Sequence, residues 1–196
     1  MYMLLKLSDH WLIRPTNTRL WIYFSLSLLL AIAGYIAVEI SFARTKYPVS
    51  LLEGQLAFSG AAIKSHYASL KAQGTFDQFV LTQIIDFAWI IGLMLTLFFS
   101  HLVLARSQPP KSKWCQLALR LAVLAPIIAA SDAFENMVSF VMLANPKDFS
   151  DWLAILYSSF AAIKWSWATI GIVLLLIQIG ALIRSRARQK QPAEMT

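Results

Sequence analysis

Apolar residues along this chain gather into four long runs, and most polar and charged residues collect between them. The runs extend from about Leu20 to Phe42, Phe79 to Leu104, Leu117 to Ala144 and Trp152 to Ile183. A helix needs about 20 such residues to cross the hydrocarbon of a bilayer, so each run is long enough to cross with some tilt. Pro109-Pro110 breaks the chain between the second and third runs, and Asn145-Pro146 closes the third, as expected where helices must stop. The tight turns favour antiparallel neighbours. The pattern predicts an all-α protein: one integral membrane domain over residues 1–196, folded as a four-helix bundle.

Two segments read as lying along the membrane rather than crossing it. Residues 1–14 place Trp11 and several aliphatic residues beside Lys6, Asp9 and Arg14, the composition of a short interfacial helix. In the loop of residues 43–78, Leu56, Ile63, Tyr67 and Leu70 recur at roughly helical spacing from Leu52 onward. Gly54 and Gly60 weaken that helix. The loop is expected to cap the outer mouth of the bundle.

Composition agrees with lipid as the solvent. Of 196 residues, 58% are apolar and only 14% charged, and a soluble domain of this size has no means of hiding so much apolar surface. The net charge of +7 does not point to nucleic acid, because the basic residues flank apolar runs instead of forming a patch on a soluble domain. They set orientation instead. With the N-terminus inside, Lys6, Arg14, Arg19, Arg106, Lys111, Lys113, Arg120, Arg184, Arg186, Arg188 and Lys190 are cytoplasmic. Only Arg44, Lys46, Lys64, Lys71 and Lys147 are outside. Both termini are therefore expected in the cytoplasm, with a basic tail over residues 184–196. Ser41-Phe42-Ala43 resembles a signal-peptide cleavage site, but the preceding apolar core is longer than the usual 7 to about 15 residues, so the first run is read as an uncleaved anchor. The single cysteine, Cys115, excludes an intrachain disulfide and cysteine-pair redox or zinc motifs.

The third run is interrupted by Asp132, Glu135 and Asn136, and the fourth by Lys164. Positions i, i+3 and i+4 share one helical face, so the three project together, with Ser139 a turn further on. A charged side chain at the bilayer centre costs about 2.5 to 3.5 kcal/mol, so this face turns inward toward partners. With a rise of about 1.5 Å per residue, Asp86 of the second run lies about 13 Å deep, Glu135 and Asn136 about 13 to 15 Å, and Asp132 and Lys164 about 20 Å. These five residues are the expected ligand or ion site. Gln83, one turn from Asp86, is a possible accessory, as are Glu39, near enough to the outer interface to reach water, and His66 in the outer loop. His101 lies near the cytoplasmic end, remote from the acids. Trp165 and Trp167 flank Lys164 and pack against neighbours or lipid, or stack on a ligand.

One ammonium cannot neutralise several carboxylates. The surplus implies protonated acids, a bound cation, or water reaching the site. A structural clasp needs only one acid per lysine, and the additional carboxylates favour a functional site. The sequence contains no H-E-x-x-H, no G-x-S-x-G and no Walker-type loop. It assigns no metal, cofactor or catalytic residue.

The Asp132-x-x-Glu135-Asn136 box, with Asp86 in the second run and Lys164 before Trp165 in the fourth, resembles a group of uncharacterised small bacterial membrane proteins with four spans. Here Asp86-Phe87-Ala88-Trp89 lacks the proline associated with that group's aspartate. The resemblance implies the four-span fold and a bacterial cytoplasmic membrane location, and names no activity. Three functional readings follow. The first is a polar core that binds a proton, a cation or a lipid headgroup, with other spans or a second copy of the chain as partners. The second is a membrane-embedded enzyme acting on a lipid or isoprenoid, with Glu135 and Asp132 as acid and base or metal ligands. The third is a structural assembly factor.

Overall fold

Each of the four apolar runs is a continuous helix that begins before its apolar core, and all but the third also extend past the end of that core. The computed structural model describes residues 10–189. Its elements are α1 (Asn17–Thr45), α2 (Leu51–Gln55), α3 (Gly60–Ala72), α4 (Phe76–Arg106), α5 (Lys113–Ala144) and α6 (Asp151–Gln189). Helices α1, α4, α5 and α6 are long and apolar enough to cross a membrane, which fits a multi-pass membrane protein. No strand occurs among the described residues. Of the expected interfacial segment, residues 10–13 form one helical turn, while residues 1–9 lie outside the described residues, as do residues 190–196 of the basic tail.

The helix ends follow local chemistry. Ser112, just after the Pro109-Pro110 turn, caps α5 by accepting a hydrogen bond from the Cys115 amide at 3.1 Å. Such a cap satisfies an amide that has no partner within the helix. Gly74 takes a φ of 69° in the turn from α3 into α4, a conformation that costs glycine little. The N-terminal segment is held at the other end of the bundle. There Arg106 donates to the carbonyls of Trp11 at 2.7 Å and Pro15 at 2.6 Å.

The spanning helices pack mainly on their sequence neighbours: α1 on α4, α4 on α5, and α5 on α6. Lipid supplies no hydrophobic drive between helices, so close backbone approach and interhelical hydrogen bonds matter more. The α1–α4 pair uses both. A Cβ added at Gly34 would sit 2.8 Å from Trp89 Cα, and one at Gly92 would sit 2.6 Å from the Ala31 nitrogen. Toward the outer end, Ser41 and Thr82 hydroxyls bond at 2.7 Å. Stepping back along α1 from Ser41 to Gly34 to Ala31 matches equal steps forward along α4 from Thr82 to Trp89 to Gly92, the mark of an antiparallel pair in constant register. The outward faces carry apolar side chains such as Leu26 and Leu29 on α1 and Ile172 and Leu176 on α6.

The loop between the first two long helices, expected as an outer cap, runs deeper than a cap. The expected single helix from Leu52 is two, because the chain turns at residues 56–59, where Phe58 adopts a φ of 49°. Lys64 pairs with Asp151 at 2.8 Å, the Phe58 amide donates to Ser158 Oγ at 3.0 Å, and Trp165 Nε1 donates to Gln55 Oε1 at 2.9 Å. Asp151, Ser158 and Trp165 are spaced two turns apart on α6, so the loop follows that helix for about 20 Å. Its deepest part is α2. Gly54 is a point of contact there, since a Cβ would meet the Tyr47 ring at 2.8 Å. Above it, Ile63, Tyr67 and Leu70 of α3 pack with Phe79 of α4, Met142 and Leu143 of α5, and Tyr157 of α6. The result is an apolar plug over the loop end of the polar cluster.

Candidate functional site

Charge on a helix in lipid has to find a partner on another helix, and three spans here carry such partners to a common place. Lys164 of α6 reaches two acids of α5: its Nζ lies 2.8 Å from Asp132 Oδ1 and 2.6 Å from Glu135 Oε2. Across the other interface, Asn136 Nδ2 donates to Asp86 Oδ2 of α4 at 2.8 Å. One face of α5 thus ties α4 on one side and α6 on the other. The group is sealed from solvent: Glu135 is 0% exposed, Asp132 and Asn136 1%, Lys164 4% and Asp86 8%. The five residues expected from depth and helical phase are therefore brought together as two linked sets. The sequence left open which acid would meet the lysine.

The accessory residues divide. Gln83 is buried one turn outward from Asp86, and its Oε1 has no partner. It shares that condition with Ser139 Oγ and Glu135 Oε1. With Asp86 opposite Asn136, antiparallel register places Gln83 opposite Ser139. Polar oxygens without partners therefore continue outward from the acids. Glu39 is exposed on α1, outside the buried cluster. His66 is half-buried in the outer loop and shares a hydrogen bond with the Tyr47 hydroxyl at 3.2 Å. Its burial holds the imidazole below its ordinary value. His101 is buried toward the other end of the bundle, where it lines an apolar cleft with Leu97, Ile128 and Trp167.

The sequence reading missed the groups that link this cluster to the loop. Tyr157 is buried on α6, close enough to feel the charges of Glu135 and Asp86 and the phenols of Tyr67 and Tyr47. Gln55 reaches Trp165, whose ring lies 5.6 Å from the Lys164 ammonium. Tyr157 and Gln55 gave no signal, because an isolated tyrosine in an apolar run reads as packing and a glutamine beside Gly54 reads as loop. The one available hint was the spacing of Asp151, Ser158 and Trp165, a polar-edged stripe two turns apart along an otherwise apolar helix.

Chemically, the arrangement offers three carboxyl groups and one ammonium in a medium that does not tolerate unbalanced charge. No group of three or more His, Cys, Asp or Glu side chains among the described residues is disposed to hold a metal ion. No protein-family model, curated protein or solved structure matches this chain. The likeness to small four-span bacterial proteins therefore rests on the quoted residues alone.

Proposed function

We propose that this protein binds and releases a proton at an intramembrane carboxylate–lysine site. The observation that carries the reading is the bridging of one ammonium, Lys164, between Asp132 and Glu135, while a third carboxyl, Asp86, is held by a neutral amide. Fully ionised, the cluster holds three negative charges and one positive. A buried surplus of that kind is neutralised, not tolerated, and a proton is the smallest neutraliser.

The competing ligands fit less well. A hard cation such as calcium takes about 6 to 8 oxygen ligands, whereas the buried oxygens left without a partner beside the acids are Glu135 Oε1, Gln83 Oε1 and Ser139 Oγ, too few for that shell. An anionic lipid headgroup needs a free cation, and the Lys164 ammonium is buried against two acids. The basic residues flanking α4, α5 and α6 support cytoplasmic termini, and on that reading the site lies nearer the outer face of a bacterial cytoplasmic membrane. Partners, on this reading, are other spans that respond to the charge state of the site.

Proton uptake by the purified protein after a step in pH tests the proposal, with Lys164→Met as the variant. Removing the ammonium leaves Asp132 and Glu135 without a counter-ion, so uptake should shift to higher pH. Uptake identical in wild type and variant, in buffers with either sodium or a bulky organic cation, would sink the reading. A shift that depends on sodium would transfer the site to a cation.

A second reading, a clasp that only fixes helix register, draws on the fact that both contact sets cross helix interfaces. It predicts that apolar replacements of the whole cluster preserve the assembly of the protein with its partners.

A further inference from the structure

The cluster is sealed from lipid and solvent, so a proton needs a route. Four polar groups pierce the apolar plug on the outer side. His66, half-buried, is hydrogen-bonded to the Tyr47 hydroxyl at 3.2 Å. Tyr47 and Tyr67 flank the same ring, Phe79, with centroid distances of 5.1 and 5.9 Å. The Tyr67 phenol is directed at Ser139 of α5, whose Oγ is wholly buried and has no partner in hydrogen-bonding geometry. Ser139 is one turn from Glu135, with side chains at that spacing about 5 to 6 Å apart at Cβ. The free Glu135 Oε1 and Gln83 Oε1 lie along the same stretch.

We infer that His66, Tyr47, Tyr67 and Ser139 form the route by which protons pass between the outer surface and Glu135. This rests on the proton-binding reading of the cluster and adds the path and the side of access. Each hydroxyl accepts a proton from the group on its outer side and passes its own inward, so no member carries a lasting charge. Burial keeps the Tyr47 and Tyr67 phenols well above their ordinary range, so both remain neutral donors. Among the described residues, His66–Tyr47 is the one hydrogen bond along the path, so the steps from Tyr47 to Tyr67 and from Ser139 to Glu135 require a bridging water with two or more polar partners. Ser139 Oγ, Gln83 Oε1 and Glu135 Oε1 supply such partners. The other ionisable groups facing the path are Tyr157 of α6 and Asp86 of α4. The Lys64–Asp151 pair stands at its outer margin.

The test is a rapid pH step on the full chain in lipid nanodiscs, following the carboxyl C=O infrared band in time. Tyr67→Phe and Ser139→Ala should slow the approach to equilibrium by about tenfold or more while leaving the final amplitude unchanged. Ile63→Val, on the same face of α3, should relax at the wild-type rate. Tyr47→Phe, at the loop end of the path, should slow it too, and serves if Tyr67→Phe fails to fold. Wild-type rates in Tyr47→Phe and Ser139→Ala would overturn the route while leaving the site intact. No pH-dependent carboxyl band in the wild type would overturn the proton-binding reading itself.

Discussion

The two contact sets on α5 differ in what holds them. Asp86 depends on one amide hydrogen bond from Asn136, whereas Asp132 and Glu135 share an ammonium. Asn136→Leu strands Asp86, and unfolding in mixed micelles should register a loss of about 1 to 2 kcal/mol. Adding Asp86→Leu removes the stranded group, so the double variant should be more stable than Asn136→Leu alone. Strictly additive losses would mean that the two side chains do not depend on each other. That Asp132, Glu135 and Asn136 share a face was legible, because i, i+3 and i+4 positions coincide on any helix. The pairing was not. Depth along a span is a single coordinate, and it placed Asp132 level with Lys164 without revealing that Glu135 reaches the same ammonium.

Among the elements, the spans were readable because apolar runs of that length have one stable form in lipid, where backbone groups must bond within the segment. The path of the outer loop was not. Gly54 and Gly60 count against a helix in water, yet here each is a point of close approach, to Tyr47 and to Asp151. Two outcomes test this packing. Gly92→Leu, whose Cβ would collide with the α1 backbone at Ala31, should destabilise the protein by about 1 to 3 kcal/mol. Gly180→Leu, with nothing within 4 Å of its Cβ, should leave stability near wild type. Equal effects would refute the close α1–α4 crossing. The loop should also respond to acid. The docked His66 imidazole lies below its ordinary value of 6.5 because burial disfavours its charged form. An undocked loop thus binds the proton first, and docking weakens as pH falls below that value. Protection from hydrogen exchange over residues 46–72, taken relative to the intrinsic rate at each pH, should fall on acidification in wild type and much less in His66→Asn.

For the molecule as a whole, the acids, the loop and the distribution of basic residues imply a direction. The polar cluster sits beneath the plug formed by the loop of residues 46–75, and the proposed orientation, argued from the flanking arginines and lysines, puts that plug outside and the termini in the cytoplasm. A cysteine introduced at the exposed Gln73, in a Cys115→Ala background, should react with a membrane-impermeant thiol reagent in intact cells. Labelling only after the cells are broken would invert the orientation, and with it the side from which the proton enters. The direct test of the central claim is the count of protonated carboxyl groups by infrared titration of the reconstituted protein. A protonated carboxyl band that titrates with pH, loses intensity in Glu135→Gln and shifts to higher pH in Lys164→Met is the predicted result. A wild-type spectrum with no titrating carboxyl band would contradict it.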